Sequence, residues 1–471
     1  MDRSSKTFDV DKASILLPES VRKIISHLKS DGFEACVVGG CVRDSLSKRD
    51  VNDWDIATSA TPEEMKLTLA HMRLVPSGEK YGTITAICDG VPYELTTFRK
   101  DGTYSDGRRP DEVAFTRNLR EDLQRRDFTI NAMAYDDTIG IIDPFGGLND
   151  LEHGKIVCVG SPIERFNEDA LRIMRAVRFA VELSFDLPKE TVNAIWECGH
   201  NLNNISQERK TAELLKMLQG LSTLDKNKVN LKNTRSMVEY IIKRVIPEFI
   251  ELSEITHNNI HHYTDVFNHT IDMLFAATTD DIELLLTVLF HDIGKMRARQ
   301  FNEKRLSYNY HGHEKHSAEM TREILTRLRL DNKTINNVVL LVENHDYHIT
   351  ALRSCAKKLL ALLSNELCVK LVYFQLLDKA AHRWNSFKEL NERTKEIEAL
   401  LPLINDIIVS GEATELSALA INGNDLLELG YQQGEKIGEI LRSCLEYVLE
   451  NPQRNVREDL LAFVREMGRQ E

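Results

Sequence analysis

The sequence predicts an α+β fold, in which a mixed N-terminal head precedes a remainder that is all helical. Two β-rich runs, Thr83–Cys88 and Val91–Phe98, are joined by Asp89-Gly90, which is a hairpin turn signal. Beyond about residue 155 the strand signals fade and helical periodicity dominates. At 471 residues the chain is too long for one core, so we expect several domains.

The first elements of the head follow from local signals. Helical periodicity over residues 19–31 predicts a helix, and the apolar run Ala35–Val38 predicts the strand that follows it. At Thr61–Glu64 a capping residue, a proline and a glutamate three residues after the cap predict the start of another helix.

Charge and cysteine usage limit the class of protein. The net charge of −13 argues mildly against a general nucleic-acid binder. Asn203–Val245 nevertheless carries nine Lys/Arg against four Asp/Glu and could form a local basic face, with a solvated helix face as the alternative. Eight cysteines without a C-x-x-C pair fit reduced thiols. Because the N-terminus is polar and no apolar run approaches membrane-spanning length, we expect a cytoplasmic protein without a membrane partner.

Two carboxylates mark the first candidate site. Alternation in the segment after Gly39-Gly40 puts Asp53 and Asp55 on one face of a strand. Hard cations such as Mg2+ prefer oxygen ligands and usually share them with substrate phosphates. The glycines allow backbone N–H groups to approach a phosphate, and Arg43 can bond its oxygens. These parts together suit metal-assisted nucleotidyl transfer.

Two further stretches could contribute to the same chemistry. Glu94 could bring a third carboxylate toward the metals, although a solvent-facing strand position is equally compatible with the pattern. Arg126 could hold a triphosphate and Asp127 could bond a ribose hydroxyl. A surface ion pair is the alternative for this Arg-Arg-Asp run.

The stretch Glu168–Phe179 suggests base recognition. Its apolar residues repeat helically, so Asp169 and Arg172 should share one face. An acceptor beside a fork of donors matches cytosine and adenine, which both present an amino donor next to a ring nitrogen acceptor. Guanine and uracil present the reverse and would leave both side chains unpaired. The residue chemistry predicts a protein template for C and A, and a surface salt bridge is the alternative.

Histidines are concentrated in one region, because eleven of the fifteen lie between residues 257 and 382. Adjacent His-Asp at the end of an apolar helix, with more His and Asp on other helices, can form a buried mixed N/O metal site. The expected ligands are His269, His291, Asp292 and Asp378. His313 and His345 could hold a second ion. For any one of these histidines, a structural role is the alternative.

Four motifs in order give a family resemblance. GGCVRDSLSKRDVNDWDIAT resembles motif A of the tRNA nucleotidyltransferase and bacterial poly(A) polymerase family, within the DNA polymerase β superfamily. RRDFTIN and DPFGGLNDL resemble motifs B and C, and the stretch that begins at Glu168 resembles motif D of class II CCA-adding enzymes. ISQERKTAELLKML resembles motif E, and the histidine pattern is similar to that of the HD phosphohydrolase superfamily.

The resemblance implies a polymerase-β-like nucleotidyltransferase head with a small mixed sheet, followed by helical segments and an HD module. The expected boundaries are 1–155 for the head, 156–225 for the neck with the base pocket, 226–256 for the body, 257–390 for the HD module and 391–471 for the tail.

The resemblance also implies an activity, which is template-independent addition of two CMP and one AMP to the 3′ end of tRNA from CTP and ATP. Asp53 and Asp55 would be catalytic and would hold Mg2+. The implied nucleotide-binding residues are Gly40, Arg43, Arg126, Asp127, Asp169, Arg172, Arg175 and Arg178. The HD module would hold a second, transition metal and carry an accessory phosphohydrolase activity.

Three other functions stay open. A bacterial poly(A) polymerase would add A only. A CC-adding enzyme would stop after two cytidines, but such enzymes usually lack the loop that Arg99–Pro110 represents. The chain could also act mainly as an HD phosphohydrolase, which the complete Asp53/Asp55 pair argues against. The oligomeric state is not predicted.

Overall fold

A computed structural model describes residues 15–102, 113–255, 265–303, 307–381, 387–410 and 416–467. The chain forms two compact units, Met1–Pro247 and Glu248–Glu471. The finer division into five segments stays a prediction.

The head is built on a mixed sheet in the first unit. Its described strands are β1 (Ala35–Val38), β2 (Ile56–Thr58), β3 (Arg73–Gly78), β4 (Thr83–Cys88), β5 (Val91–Thr97), β6 (Arg99–Asp101), β7 (Val113–Phe115), β8 (Ala134–Asp136) and β9 (Gly140–Ile142). Seven of them form one sheet in the order β3-β4-β5-β2-β1-β8-β9. β2 runs parallel to β5, and β1 runs antiparallel to β2 and β8. The small mixed sheet is therefore confirmed.

The head contains the hairpin turn that the sequence predicts. Asp89 and Gly90 both adopt positive φ, 51° and 81°, and turn the chain from β4 into β5. β6 and β7 pair with each other at the base of the predicted Arg99–Pro110 loop. Residues 103–110 of that loop lie outside the described residues.

Helices surround the sheet and extend the first unit. They are α1 (Glu19–Ser30), α2 (Gly40–Leu46), α3 (Pro62–Thr68), α4 (Leu119–Gln124), α5 (Gly147–Glu152), α6 (Pro162–Glu168), α7 (Leu171–Leu183), α8 (Lys189–Cys198), α9 (Gln207–Gly220) and α10 (Leu231–Val245). A capping box between Thr61 and Glu64 starts α3, as the sequence predicts. α7 packs against both α9 and α10, because it is apolar along most of its length.

The second unit is mainly helical. Its helices are α11 (Glu248–Leu252), α12 (Val266–Ala276), α13 (Ile282–Phe290), α14 (Lys295–Ala298), α15 (His313–Arg327), α16 (Asn332–Glu343), α17 (Arg353–Leu362), α18 (Asn365–Ala381), α19 (Phe387–Glu398), α20 (Leu400–Ser410), α21 (Gly423–Glu428), α22 (Glu435–Glu450) and α23 (Arg457–Met467). Among the described residues, no single helix has the length and hydropathy to span a bilayer, and the one pair that reaches them jointly, α17 with α18, is bent by 118°.

A small hairpin interrupts the helices of the second unit. β10 (Gln300–Asn302) pairs antiparallel with β11 (Ser307–Asn309), and the rings of Phe301 and Tyr308 lie 5.2 Å apart across it. The all-helical prediction misses this element, because alternation cannot be recognised over strands of three residues.

Candidate active sites

The paired carboxylates lie immediately before β2, not within it. Asp53 and Asp55 precede the first paired residue, Ile56, so the strand is shorter than predicted. The backbone is nevertheless held in register, since the Asp55 carbonyl accepts a hydrogen bond of 3.0 Å from the Val38 N–H. Both aspartates are exposed while Ile56 is buried. The two carboxylates therefore face solvent together, as the alternation indicates.

A third carboxylate belongs to this cluster. β5 pairs parallel with β2, and Leu95 lies opposite Ile56, so Glu94, which precedes Leu95, lies beside Asp55, which precedes Ile56. Partial desolvation raises the pKa of Asp55, repulsion from Glu94 and Asp53 raises it further, and Arg126 opposes the rise. The donor set is made of carboxylate oxygens only, which fits Mg2+.

Arg126 lies against the glycine turn that follows β1. Gly39 has φ +81°, and a Cβ at this position would be 2.9 Å from Nη1 of Arg126. Nη2 of Arg126 is 3.3 Å from Asp122 Oδ2. Gly40 is the first residue of α2. A glycine at position 39 is therefore required both by the backbone and by the guanidinium beside it.

Asp127 is buried and fully engaged by protein groups. Its Oδ1 accepts hydrogen bonds from the Phe128 N–H and the Asn131 amide, and its Oδ2 accepts from Arg175 at 2.7 Å. Burial would raise its pKa, but Arg175, Asn131 and Arg172 outweigh burial and lower the pKa of Asp127 to about 2. The carboxylate is therefore ionised and holds Arg175 in place.

Three guanidinium groups surround one aromatic ring. The guanidinium carbons of Arg43, Arg175 and Arg178 lie 5.0, 5.2 and 4.0 Å from the centre of the Phe179 ring. This distance range is favourable for cation–π attraction. Arg43 also donates to Asn131 Oδ1 at 2.6 Å. These predicted nucleotide-binding residues therefore meet at one basic wall.

The two predicted template residues do not share a helix face. Asp169 has extended backbone (φ −140°, ψ 104°) between α6 and α7, and its Oδ1 accepts the Leu171 N–H at 3.0 Å. Arg172 lies in the first turn of α7. The prediction of one continuous helix is wrong at Asp169, because its side chain competes for the backbone N–H that starts the next helix.

Each template residue has its own charged partner. Arg172 pairs with Glu168 at 2.5 Å and donates to the Arg125 carbonyl at 2.9 Å. Asp169 pairs with Arg209 of α9 at 2.7 Å. Asp169 and Arg172 therefore form ion pairs with two different residues, and not the surface salt bridge with each other that was the alternative to a template.

Sequence reasoning missed two residues of α9 that support the pocket. Arg209 contacts Asp169, and Oε2 of Glu213 accepts from Nε of Arg178 at 2.6 Å. Arg209 and Glu213 are four residues apart, so they lie on the same face of the helix. That spacing is the signal that could have identified them.

Six buried side chains form the second candidate site. Each belongs to one of two groups whose ligand atoms lie within 4.8 Å of one another, namely His269, His291 and Asp378, and Asp292, His313 and His345. The structure thus brings together the four predicted ligands and both additional histidines. The two groups adjoin, because His291 Nε2 is 3.3 Å from Asp292 Oδ2.

Three of the four histidines of this site are oriented by the backbone. The Nδ1 atoms of His291, His313 and His345 lie 2.9, 3.0 and 2.7 Å from the carbonyls of Val288, Tyr310 and Val342. This contact leaves each Nε2 directed into the site, as in metal-ligating histidines. Burial lowers the pKa of His345 to about 4. The carboxylates are balanced by Lys295 on Asp292 and Lys379 on Asp378. The donor set of imidazoles and carboxylates fits a transition metal.

Family models match three parts of the chain. The Poly A polymerase head domain matches residues 35–157. The probable RNA and SrmB-binding site of polymerase A matches residues 184–222. The putative tRNA nucleotidyltransferase domain 2 matches residues 312–464.

Curated relatives are named CCA-adding enzymes. That of Streptococcus thermophilus is 33% identical over 460 residues, which cover 96% of this chain and 98% of the relative. That of Anoxybacillus flavithermus is 52% identical over 197 residues, which cover 42% of this chain and 49% of the relative. The chain thus spans about half the length of several curated relatives that it matches.

Solved structures share the fold. The CCA-adding enzyme of Bacillus stearothermophilus in complex with CTP is 27% identical, with a TM-score of 0.65 over 97% of this chain and 99% of the other. That of Thermotoga maritima complexed with tRNA is 21% identical, with a TM-score of 0.58 over 98% and 99%, and shows the fold alone.

Proposed function

Because the chain belongs to the family of CCA-adding enzymes, we propose that it adds two CMP and one AMP to the 3′ end of tRNA. The observation that carries this proposal is the Asp53/Asp55 pair, with Glu94 beside it, on the same unit as the basic wall around Phe179. The Bacillus stearothermophilus relative was solved with CTP, which supports CTP as a substrate here.

Asp53 and Asp55 would hold Mg2+, which supplies charge neutralisation on the triphosphate and activation of the 3′-hydroxyl. Arg126 beside Gly39 and Arg43 on α2 carry the positive charge that a triphosphate requires, and their contacts with Asp122 and Asn131 fix them before substrate arrives. Fixed donors need no rearrangement during the reaction, so they favour the charged transition state.

Base selection would rest on Asp169 and Arg172. The carboxylate accepts from the amino group that cytosine and adenine share, and the guanidinium donates to the adjacent ring nitrogen. Arg175 and Arg178 are held beside them by Asp127 and Glu213. A bacterial poly(A) polymerase would have to reject CTP, which presents the same donor and acceptor pair as ATP. Residue chemistry therefore favours CCA addition.

The tRNA would lie along the basic segment 203–245, where phosphate contacts give affinity without reading sequence. The match of residues 184–222 to a probable RNA-binding site supports this assignment. A cytoplasmic location is part of the proposal, since tRNA, CTP and ATP occur there.

The test is direct. tRNA transcripts that lack CCA are incubated with Mg2+ and CTP, ATP or both, and the added nucleotides are counted. We expect two additions with CTP alone and three with both nucleotides. Addition of adenosines only would identify a poly(A) polymerase, and a stop after two cytidines with both nucleotides present would identify a CC-adding enzyme.

The six buried ligands favour a second activity, hydrolysis of phosphoesters at the HD site. Metals such as Mn2+, Ni2+ or Fe2+ held there would supply a Lewis acid and an activated water. Lys295 and Lys379, which now balance Asp292 and Asp378, carry positive charge close to where a phosphate would bind. Damaged tRNA ends with a 2′,3′-cyclic phosphate or a 3′-phosphate are the proposed substrates.

Hydrolysis is tested with 2′,3′-cyclic nucleotides and 3′-phosphorylated tRNA in the presence of each metal. The His291→Ala/Asp292→Ala double variant should lose hydrolysis and keep nucleotide addition. If the parent hydrolyses none of these substrates with any of the metals, this activity is ruled out and the proposed CCA addition is unaffected.

A further inference from the structure

Helix α9 presents a charged pair to the residues proposed to read the base. Arg209 Nη2 lies 2.7 Å from Asp169 Oδ2, and Nη1 lies 3.4 Å from Oδ1. Glu213, one turn further along α9, holds Arg178 at 2.6 Å. Helix α9 therefore supports the pocket with two side chains: Arg209 pairs with the carboxylate of Asp169, and Glu213 pairs with the guanidinium of Arg178.

Asp169 is fixed at both of its oxygens. Oδ1 accepts the Leu171 N–H at 3.0 Å, and Oδ2 accepts from Arg209. Its side chain is 16% exposed, and that of Arg209 is 26% exposed, so solvent screens the pair only in part. Since a carboxylate oxygen can accept two hydrogen bonds, Oδ2 retains capacity for one more donor.

We propose that Arg209 is a positioning residue for base selection, which acts through Asp169. The inference rests on the proposed function and deepens it. A carboxylate accepts hydrogen bonds, so it suits the amino groups of cytosine and adenine and offers no donor to the carbonyl oxygens of uracil and guanine. Arg209 and the Leu171 N–H hold the carboxylate in one orientation.

The contribution of Arg209 differs from that of a merely structural ion pair. Removing a structural contact would lower the efficiency with every nucleotide alike. Removing a group that fixes the orientation of the Asp169 carboxylate lowers the efficiency with CTP more than that with UTP, because only CTP uses the oriented acceptor. The ratio between the two nucleotides separates these cases.

The experiment compares the full-length parent with Arg209→Ala, Arg209→Lys and the control Lys189→Ala, which removes an exposed charge from α8. kcat/KM is measured for CTP and UTP on tRNA that lacks CCA. We expect Arg209→Ala to lower the ratio of kcat/KM for CTP to kcat/KM for UTP at least about tenfold. The change should come mainly from a higher KM for CTP, because in the proposed function Asp169 contacts the base and not the reacting phosphate. Arg209→Lys should restore part of the ratio, and Lys189→Ala should leave it unchanged.

Equilibrium binding of CTP and UTP without tRNA provides an independent readout. If the parent adds no nucleotides, the proposed function fails, while loss of binding preference in Arg209→Ala would still support the role of Arg209. An unchanged ratio and an unchanged binding preference in Arg209→Ala would overturn the inference. Faster CTP addition at an unchanged ratio would also overturn it, and would identify Arg209 as a block. If Arg209→Ala does not fold, as judged by circular dichroism, the ratio of kcat/KM for CTP and UTP is measured for Arg209→Lys, and an unchanged ratio in that variant overturns the inference.

Discussion

Oδ2 of Asp127 lies 2.6 Å from Nη2 of Arg175 and 2.7 Å from its Nε, so one carboxylate oxygen accepts from two nitrogens of the guanidinium. The pair joins the segment after α4 to α7. Because Asp127 is buried, the pair is poorly screened by solvent, and its loss should be measurable both in stability and in the geometry of the basic wall.

The pH dependence of stability tests this pair. The pKa of Asp127 is lowered from 3.8 to about 2, so its contribution is present above pH 4 and is lost as the pH falls through 2. The shift corresponds to about 2 kcal/mol in the free energy of unfolding. Urea unfolding of the parent and Asp127→Asn at pH 7, 4 and 3 measures it. The variant should be less stable at pH 7, and the difference should shrink toward pH 3. A constant difference would contradict the assignment.

Gly39→Ala tests the turn at Arg126. The substitution combines the strain of a positive φ, about 1–2 kcal/mol, with a Cβ placed 2.9 Å from the guanidinium. We expect kcat/KM for CTP to fall about tenfold or more, because Arg126 must move. Gly32→Ala is the matched control, since Gly32 has φ +86° and no atom within 4 Å of the new Cβ. Equal activity of Gly39→Ala and Gly32→Ala would show that the contact with Arg126 does not affect activity and that only backbone strain does.

Asp55→Ala tests the proposed Mg2+ site. Loss of a ligand should lower the single-turnover rate by about three orders of magnitude and leave tRNA binding largely intact. Asp137→Ala serves as control, because Asp137 is an exposed carboxylate of the same unit. Turnover close to that of the parent in Asp55→Ala would exclude Asp55 as a ligand.

Arg172→Ala tests the donor half of the template. Its guanidinium is held by Glu168 and by the Arg125 carbonyl. Because this guanidinium is the proposed donor to the base, its removal should weaken the selection of CTP and ATP over UTP and GTP and leave the Mg2+ requirement unchanged. Misincorporation of UTP and GTP is measured on transcripts that end one nucleotide short of each addition. If the variant rejects both as strongly as the parent does, the template lies elsewhere.

Metal content tests the second site independently of its activity. The two adjoining groups of ligands predict about two transition-metal ions per chain after loading with Mn2+ or Ni2+. His313→Ala should bind one ion fewer, and His348→Ala, which removes an exposed histidine, should bind as the parent does. Full metal content in His313→Ala would exclude that histidine as a ligand.

The sequence by itself determined the local features of the head. Thr61–Glu64 starts a helix and Asp89-Gly90 turns a hairpin, because capping and positive φ are set by neighbouring residues. The exposure of Asp53 and Asp55 next to the buried Ile56 likewise follows from the alternation of polar and apolar residues in the sequence. The prediction was wrong at Asp169, where hydrogen bonding of a side chain to the backbone interrupts a helix that the apolar spacing alone predicts.

Only the tertiary structure decided which distant groups meet. Asp169 and Arg209 are 40 residues apart, and His269 and Asp378 are 109 apart. Periodicity and capping act over a few residues, so they place each side chain on its own element but carry no information about its partner. The partner is fixed when apolar faces such as that of α7 pack against other helices, and the same kind of packing brings four histidines and two aspartates together in the second candidate site.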